Sequence, residues 1–239
     1  MKKILLVITA LLSYGIASAQ LFTVFGHDVG FIYLGPKLGM NFSKFTDFNG
    51  MYEDNKFGYE LGAVGEFGFT SRFSIQTELV FFNKGSKDEN FGKIRMNYIG
   101  IPLLAKYTFK AFGLSNIYAM GGTFANVRVG GEVIYDNGET FPLGSDLKKY
   151  EWGLGLGAGA EYKLKSGIAG LDLRYYLGIT DIHSNDNIKT RTRSIEIVLS
   201  YKFDMVDLFF KLKKKNNNND VESVEGEQNV KGLKVENRN

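Results

Sequence analysis

Asp181, His183 and Ser184 fall within four positions and are the residue types a hydrolase uses as acid, base and nucleophile. Adjacent residues of an extended strand point to opposite faces, so His183 and Ser184 do not readily form a nucleophile–base pair. The chain has two histidines, and the other, His27, is expected at the far end of the strands. A metal centre fares no better, with no second histidine nearby and no cysteine in the chain. The segment Gly155-Leu156-Gly157-Ala158-Gly159-Ala160 satisfies a dinucleotide fingerprint by letter. Yet glycine recurs at every second position from Gly153 to Gly159, and no strand-to-helix transition surrounds it. That is strand periodicity, and its use is room: bare backbone lets Arg174 and Tyr176 lie across it. No catalytic residue, cofactor or metal ligand is expected.

The alternation itself is the more informative chemistry. From Thr192 to Phe203, Ile195, Ile197, Leu199, Tyr201 and Phe203 share one face, while Ser194, Glu196, Val198, Ser200 and Lys202 share the other. Similar alternation elsewhere puts Lys37 and Asn41, Glu60 and Glu66, Gln76 and Glu78, Lys106, Glu161 and Lys163, and Asp172, Arg174 and Tyr176 on the polar face. A soluble antiparallel barrel turns its apolar side inward, and its core does not tolerate so many charges. The pattern therefore reads inside out, with the apolar face toward lipid and the polar face lining a narrow interior. The expected network is Lys37, Glu60, Glu66, Glu78, Lys106, Glu161, Asp172, Arg174 and Glu196. Its acids and bases nearly balance, as a plug of mutually neutralising side chains requires.

Eight strands must position these residues. The pattern predicts them at Phe31–Ser43, Lys56–Thr70, Phe73–Lys84, Arg95–Phe109, Asn116–Gly130, Tyr150–Leu164, Ile168–Ile182 and Thr192–Phe203. Most exceed the roughly 9–11 residues that a tilted strand needs to cross hydrocarbon. Short connections (71–72, 110–115, 165–167) alternate with longer ones (44–55, 85–94, 131–149, 183–191). Short periplasmic turns and longer external loops are expected of an outer-membrane barrel. Phe57, Tyr59, Phe81 and Trp152 lie toward the loop ends of their strands. Phe67, Phe69, Phe73, Tyr107, Phe109, Tyr162, Tyr201 and Phe203 lie toward the turn ends. Together they predict two aromatic girdles.

The termini differ in character. Residues 1–19 read as a signal peptide: Lys2 and Lys3, an apolar run from Ile4 to Leu12, then Ala17-Ser18-Ala19 before Gln20. That apolar run is too short to span a bilayer as a helix. The barrel domain is expected over residues 20–203. Residues 204–239, with Lys213-Lys214-Lys215 and Asn216 to Asn219, read as a low-complexity, disordered periplasmic tail. The net charge of +3 is too small to suggest nucleic acid, and no basic stripe interleaves with aromatics along a helix.

Several segments resemble a known family. Leu34-Gly35-Pro36-Lys37-Leu38-Gly39-Met40-Asn41-Phe42-Ser43 in the first strand and Tyr98-Ile99-Gly100-Ile101-Pro102-Leu103-Leu104-Ala105-Lys106-Tyr107 in the fourth are similar to the small outer-membrane β-barrel ("porin family") proteins common in Bacteroidota. That group includes the PorT-like proteins. The glycine-rich sixth strand, Leu171-Asp172-Leu173-Arg174-Tyr175-Tyr176 and Ser200-Tyr201-Lys202-Phe203 extend the resemblance over roughly residues 20–203. It implies an eight-stranded antiparallel up-and-down transmembrane barrel, mostly without an assigned activity, with some members involved in protein secretion. Members commonly end at the last strand's aromatic residue, so the stretch beyond Phe203 departs from the pattern.

The expected function is a non-enzymatic outer-membrane scaffold or binding protein with a plugged, charged interior, an accessory to secretion in one version. A narrow porin-like channel is the alternative, and a lipid-modifying enzyme a distant one. The expected partners are outer-membrane lipid, the barrel-assembly machinery during insertion, and an envelope protein or glycan at the external loops. Gly131–Lys149 is the longest of those loops.

Overall fold

The computed structural model describes residues 23–24, 27–28, 30–46, 54–88, 92–110, 115–143, 147–183 and 190–208. The expected signal peptide and nearly all of the expected tail lie outside them, as does Ser184. Eight long strands form the wall: β1 Phe31–Thr46, β2 Asp54–Gly68, β3 Phe73–Asp88, β4 Gly92–Lys110, β5 Ser115–Ile134, β6 Tyr150–Leu164, β7 Gly167–Gly178 and β8 Arg191–Asp204. Each pairs antiparallel with its neighbours in sequence, and β8 returns to pair with β1, from Arg191 opposite Thr46 to Asp204 opposite Tyr33. The sheet is a closed up-and-down barrel. Among the described residues no helix is long and apolar enough to cross a membrane.

Closure follows from the alternation. On the outside, Leu38 faces Leu199, Met40 faces Ile197 and Phe42 faces Ile195 across the β1–β8 seam, and all six are exposed. Inside, the same strands bury Lys37, Asn41, Ser43, Glu196 and Val198. A one-residue slip would exchange these two sets wholesale, so lipid on one side and charge on the other fix the register. The girdle positions Phe57, Tyr59, Phe81 and Trp152 at one end, and Phe73, Tyr107, Phe109, Tyr162 and Phe203 at the other, are exposed.

Several boundaries differ from the sequence reading. β3 runs on to Asp88 and β4 begins at Gly92, so most of the expected loop 85–94 is strand. Alternating Ser86, Ile94 and Met96 are buried, and these inward side chains carry the strand pattern past Lys84. β5 continues to Ile134 and pairs with a short strand, Thr140–Pro142, so much of the loop 131–149 is a hairpin. β7 stops at Gly178 rather than Ile182, because Ile179 and Thr180 turn back to donate their amides to the Trp152 carbonyl. At the other end, Asp204 closes β8 and caps a helical turn over residues 205–208, accepting from the amides of Val206 and Asp207.

Leu173, near the middle of β7 and 58% exposed, separates lipid face from lumen face. Leu173→Arg is expected to cost about 2–4 kcal/mol when unfolding is measured by urea titration in vesicles. An unchanged midpoint would place this face away from hydrocarbon.

Candidate functional site

All nine residues of the expected interior network are buried, and β1 to β8 stack them in tiers along the barrel. At the turn end Glu66 (β2) and Glu161 (β6) share two lysines. Lys106 (β4) sits 3.0 Å from Glu66 and 2.5 Å from Glu161, and Lys202 (β8) bonds to both carboxylates. Ser74 donates to Glu66 at 2.6 Å, and the Tyr118 ring lies 4.1 Å from the Lys106 ammonium.

In the middle tier Lys37 (β1) bridges Glu78 (β3) at 2.6 Å and Glu60 (β2) at 3.0 Å. Arg174 (β7) reaches across the lumen to place both terminal nitrogens on Glu78, at 2.8 and 2.9 Å, while also pairing with Asp172. This fork is the geometry for which guanidinium is suited. Gln76 donates to Glu78 at 2.7 Å, and Tyr118 donates to Asp172. Glu196 is different. It lies directly opposite Arg174 on the β7–β8 ladder, yet the guanidinium turns away, and the polar contact left to its carboxylate is the Ser194 hydroxyl at 3.4 Å. Among the described residues it is the one network carboxylate with no basic partner.

The glycines of β6 make this crossing feasible. Arg174 stands opposite Gly157 and Tyr176 opposite Gly155. A β-carbon at Gly155 would come within 2.6 Å of the Tyr176 ring, and one at Gly159 within 2.5 Å of the Tyr118 hydroxyl. The strand gives up side chains so that those of β5 and β7 have somewhere to lie.

Toward the loop end the lumen changes character. Lys84 (β3) pairs with Glu151 (β6) at 3.2 Å, Asn126 (β5) donates to Glu151 at 2.9 Å, and Thr192 bonds to it as well. Phe82 and Phe124 flank the Lys84 ammonium at 5.3 and 5.1 Å. Phe82 also belongs to an apolar cluster with Phe45, Val80, Ile94, Met96, Tyr98, Leu147 and Ile182 that closes this end of the barrel. Sequence reasoning missed this lid, and Lys84 and Glu151 with it. Lys84 has the parity of Gln76 and Glu78, and Glu151 that of Glu161, so both were legible as inward positions at strand ends. Lys163 has that parity too, yet it is exposed: it lies beyond the last tier, where the lumen opens to water.

Of the three hydrolase-type residues, Asp181 and His183 are described and Ser184 lies outside the described residues. The Asp181 carboxylate accepts the amides of His183 and Thr190, both at 2.9 Å, and so pins the connection between β7 and β8. Slight burial pushes the Asp181 carboxyl up, but those two amides and the nearby Lys148 hold it below the usual aspartate range.

A family model described as "Outer membrane protein beta-barrel domain" matches residues 19–184. The chain belongs to this outer-membrane β-barrel family. Its place is accordingly the outer membrane. Among solved structures it is similar to neisserial surface protein A, at 13% identity and TM-score 0.48 over 72% of this chain and 97% of that one. It is similar also to OprG of Pseudomonas aeruginosa (14%, 0.44, 74% and 97%) and to Ail of Yersinia pestis in complex with a heparin analogue (12%, 0.40, 72% and 99%). No curated protein matches the chain.

Two outcomes test the barrel's interior and rim. Lys106→Met leaves Glu66 and Glu161 to share Lys202 alone, and is expected to cost about 3–5 kcal/mol in vesicle-based urea unfolding. At Asp181 the folded carboxyl is depressed, so its contribution is present above the unfolded pKa of about 3.9 and is lost as pH falls through the folded value. Asp181→Ala at neutral pH should speed hydrogen exchange at the His183 and Thr190 amides roughly tenfold, the worth of one modest hydrogen bond.

Proposed function

We propose that the protein is a non-enzymatic scaffold of the outer membrane whose external loops bind an envelope protein or glycan. The observation that carries this reading is the filled interior. Ion pairs occupy the lumen from Lys202 to Lys84, and the apolar cluster around Met96 and Tyr98 stands above them. The central cavity, bordered by Glu60, Glu78, Phe82, Phe124 and Glu196, amounts to about 20 Å³, room for about one water molecule. Eight strands enclose space for side chains, and an aqueous channel takes sixteen or more. Asp181 is committed to backbone amides, which favours a structural over a catalytic role there.

The outer hairpin supports the binding half of the proposal. Tyr135 accepts the Gly138 amide at 3.0 Å, and Gly138 adopts φ 87°, the left-handed conformation a tight turn requires. Tyr135 and Phe141 meet edge to face at 5.8 Å, and both are exposed. A pair of rigid aromatic rings on a hairpin beyond the membrane is a recognition surface rather than a lipid anchor. In the resembling family, an accessory part in protein secretion is one form such a role takes.

Planar-bilayer recording of the purified full chain is expected to show no ion-conducting steps. Stable unitary steps that vanish on heat denaturation would replace the scaffold by the narrow-channel reading.

A further inference from the structure

The lipid-facing ladder of β1 and β8 breaks abruptly at its outer end. Above the apolar pairs Leu38–Leu199, Met40–Ile197 and Phe42–Ile195, the next outward pair is Lys44 opposite Arg193, followed by Thr46 opposite Arg191. Two residues along a strand advance the chain by roughly 7 Å, so three cations begin one step beyond the hydrocarbon-facing rows. Both arginines are exposed and Lys44 is half-buried. Like charges directly opposite on neighbouring strands repel. At the same end Arg95 is by contrast compensated, meeting Glu132 at 2.6 Å. Among the described residues no carboxylate pairs with Lys44, Arg191 or Arg193. Leu177 stands opposite Arg193 on β7, and the Thr46 hydroxyl donates to the Arg191 carbonyl at 3.2 Å.

We infer that Lys44, Arg191 and Arg193 form an outward-facing site for a phosphate group carried on an outer-leaflet lipid. The position selects this source. A group seated here lies against the barrel wall, directly above the apolar rows that hold acyl chains, so a phosphate tethered to those chains is delivered to it. The guanidinium forks match phosphate oxygens two at a time, and the ammonium adds a third donor group. Binding also removes the cross-strand repulsion that the bare site carries. The site is independent of the loop surface proposed above, because it faces lipid.

The test uses the full chain in nanodiscs of phosphatidylcholine doped with bis-phosphorylated lipid A, with lipid retained per barrel counted by native mass spectrometry. The variant Lys44→Gln/Arg191→Gln/Arg193→Gln is expected to lose about a hundredfold in lipid A enrichment, and Arg193→Gln alone about fivefold. Heat-modifiable gel migration checks that each variant folds, and the single substitution carries the test if the triple one does not fold. Dephosphorylated lipid A should be retained equally by wild type and variant, and an excess of inorganic phosphate should leave wild-type enrichment unchanged. Equal enrichment of lipid A in wild type and folded variant overturns the site. Displacement by inorganic phosphate overturns its assignment to a lipid.

Discussion

In hydrocarbon an unpaired backbone amide or carbonyl has no water to turn to, and each one costs several kcal/mol. The pairing of β8 with β1 is therefore the contact on which everything else rests, because it removes the last open edge of the sheet. Once the sheet closes, every strand has one face toward lipid and one toward a lumen too narrow for free water. Leu38, Ile197 and Leu173 go outward because lipid accepts them, and the charged residues between them are left to meet inside.

That enclosure turns a liability into a constraint on sequence. Lys106 and Lys202 are tolerable only because Glu66 and Glu161 stand at the same level on other strands, and Arg174 only because Glu78 and Asp172 do. The partners come from distant parts of the chain and depend on the barrel's register to coincide. A buried ion pair contributes little net stability compared with an apolar pair, but breaking one leaves an uncompensated charge. The network thus acts more as a specification of register than as a source of stability. Gly155, Gly157 and Gly159 belong to the same design, since Tyr176, Arg174 and Tyr118 occupy the space their side chains would fill.

The barrel was legible in the sequence because period-two alternation is a local signal repeated eight times, and because its polarity is reversed relative to a soluble sheet. Parity named most of the inward charges, from Lys37 to Glu196, but missed Lys84 and Glu151 at strand ends, took in the exposed Lys163, and did not show which acid meets which base. Pairings such as Arg174 with Glu78 cross the lumen between β7 and β3, and no spacing along one strand encodes that. The apolar lid was missed for a related reason: Ile94, Met96 and Tyr98 alternate like lipid-facing residues, and only the phase set by Lys106 on the same strand assigns them inward. Loop ends were least legible, since Ser86 and Val133 continue their ladders beyond the hydrocarbon where no lipid-facing run announces a strand.

The central claim is that the lumen is a plug of mutually dependent charges. A double-mutant cycle on Lys37→Met and Glu78→Gln, followed by urea unfolding in lipid vesicles, tests it most directly. The account predicts that each single substitution destabilises, and that the pair together destabilises by less than the sum, with a coupling of about 1–3 kcal/mol. Additive effects would contradict it, since charges that do not depend on each other are charges still in contact with water.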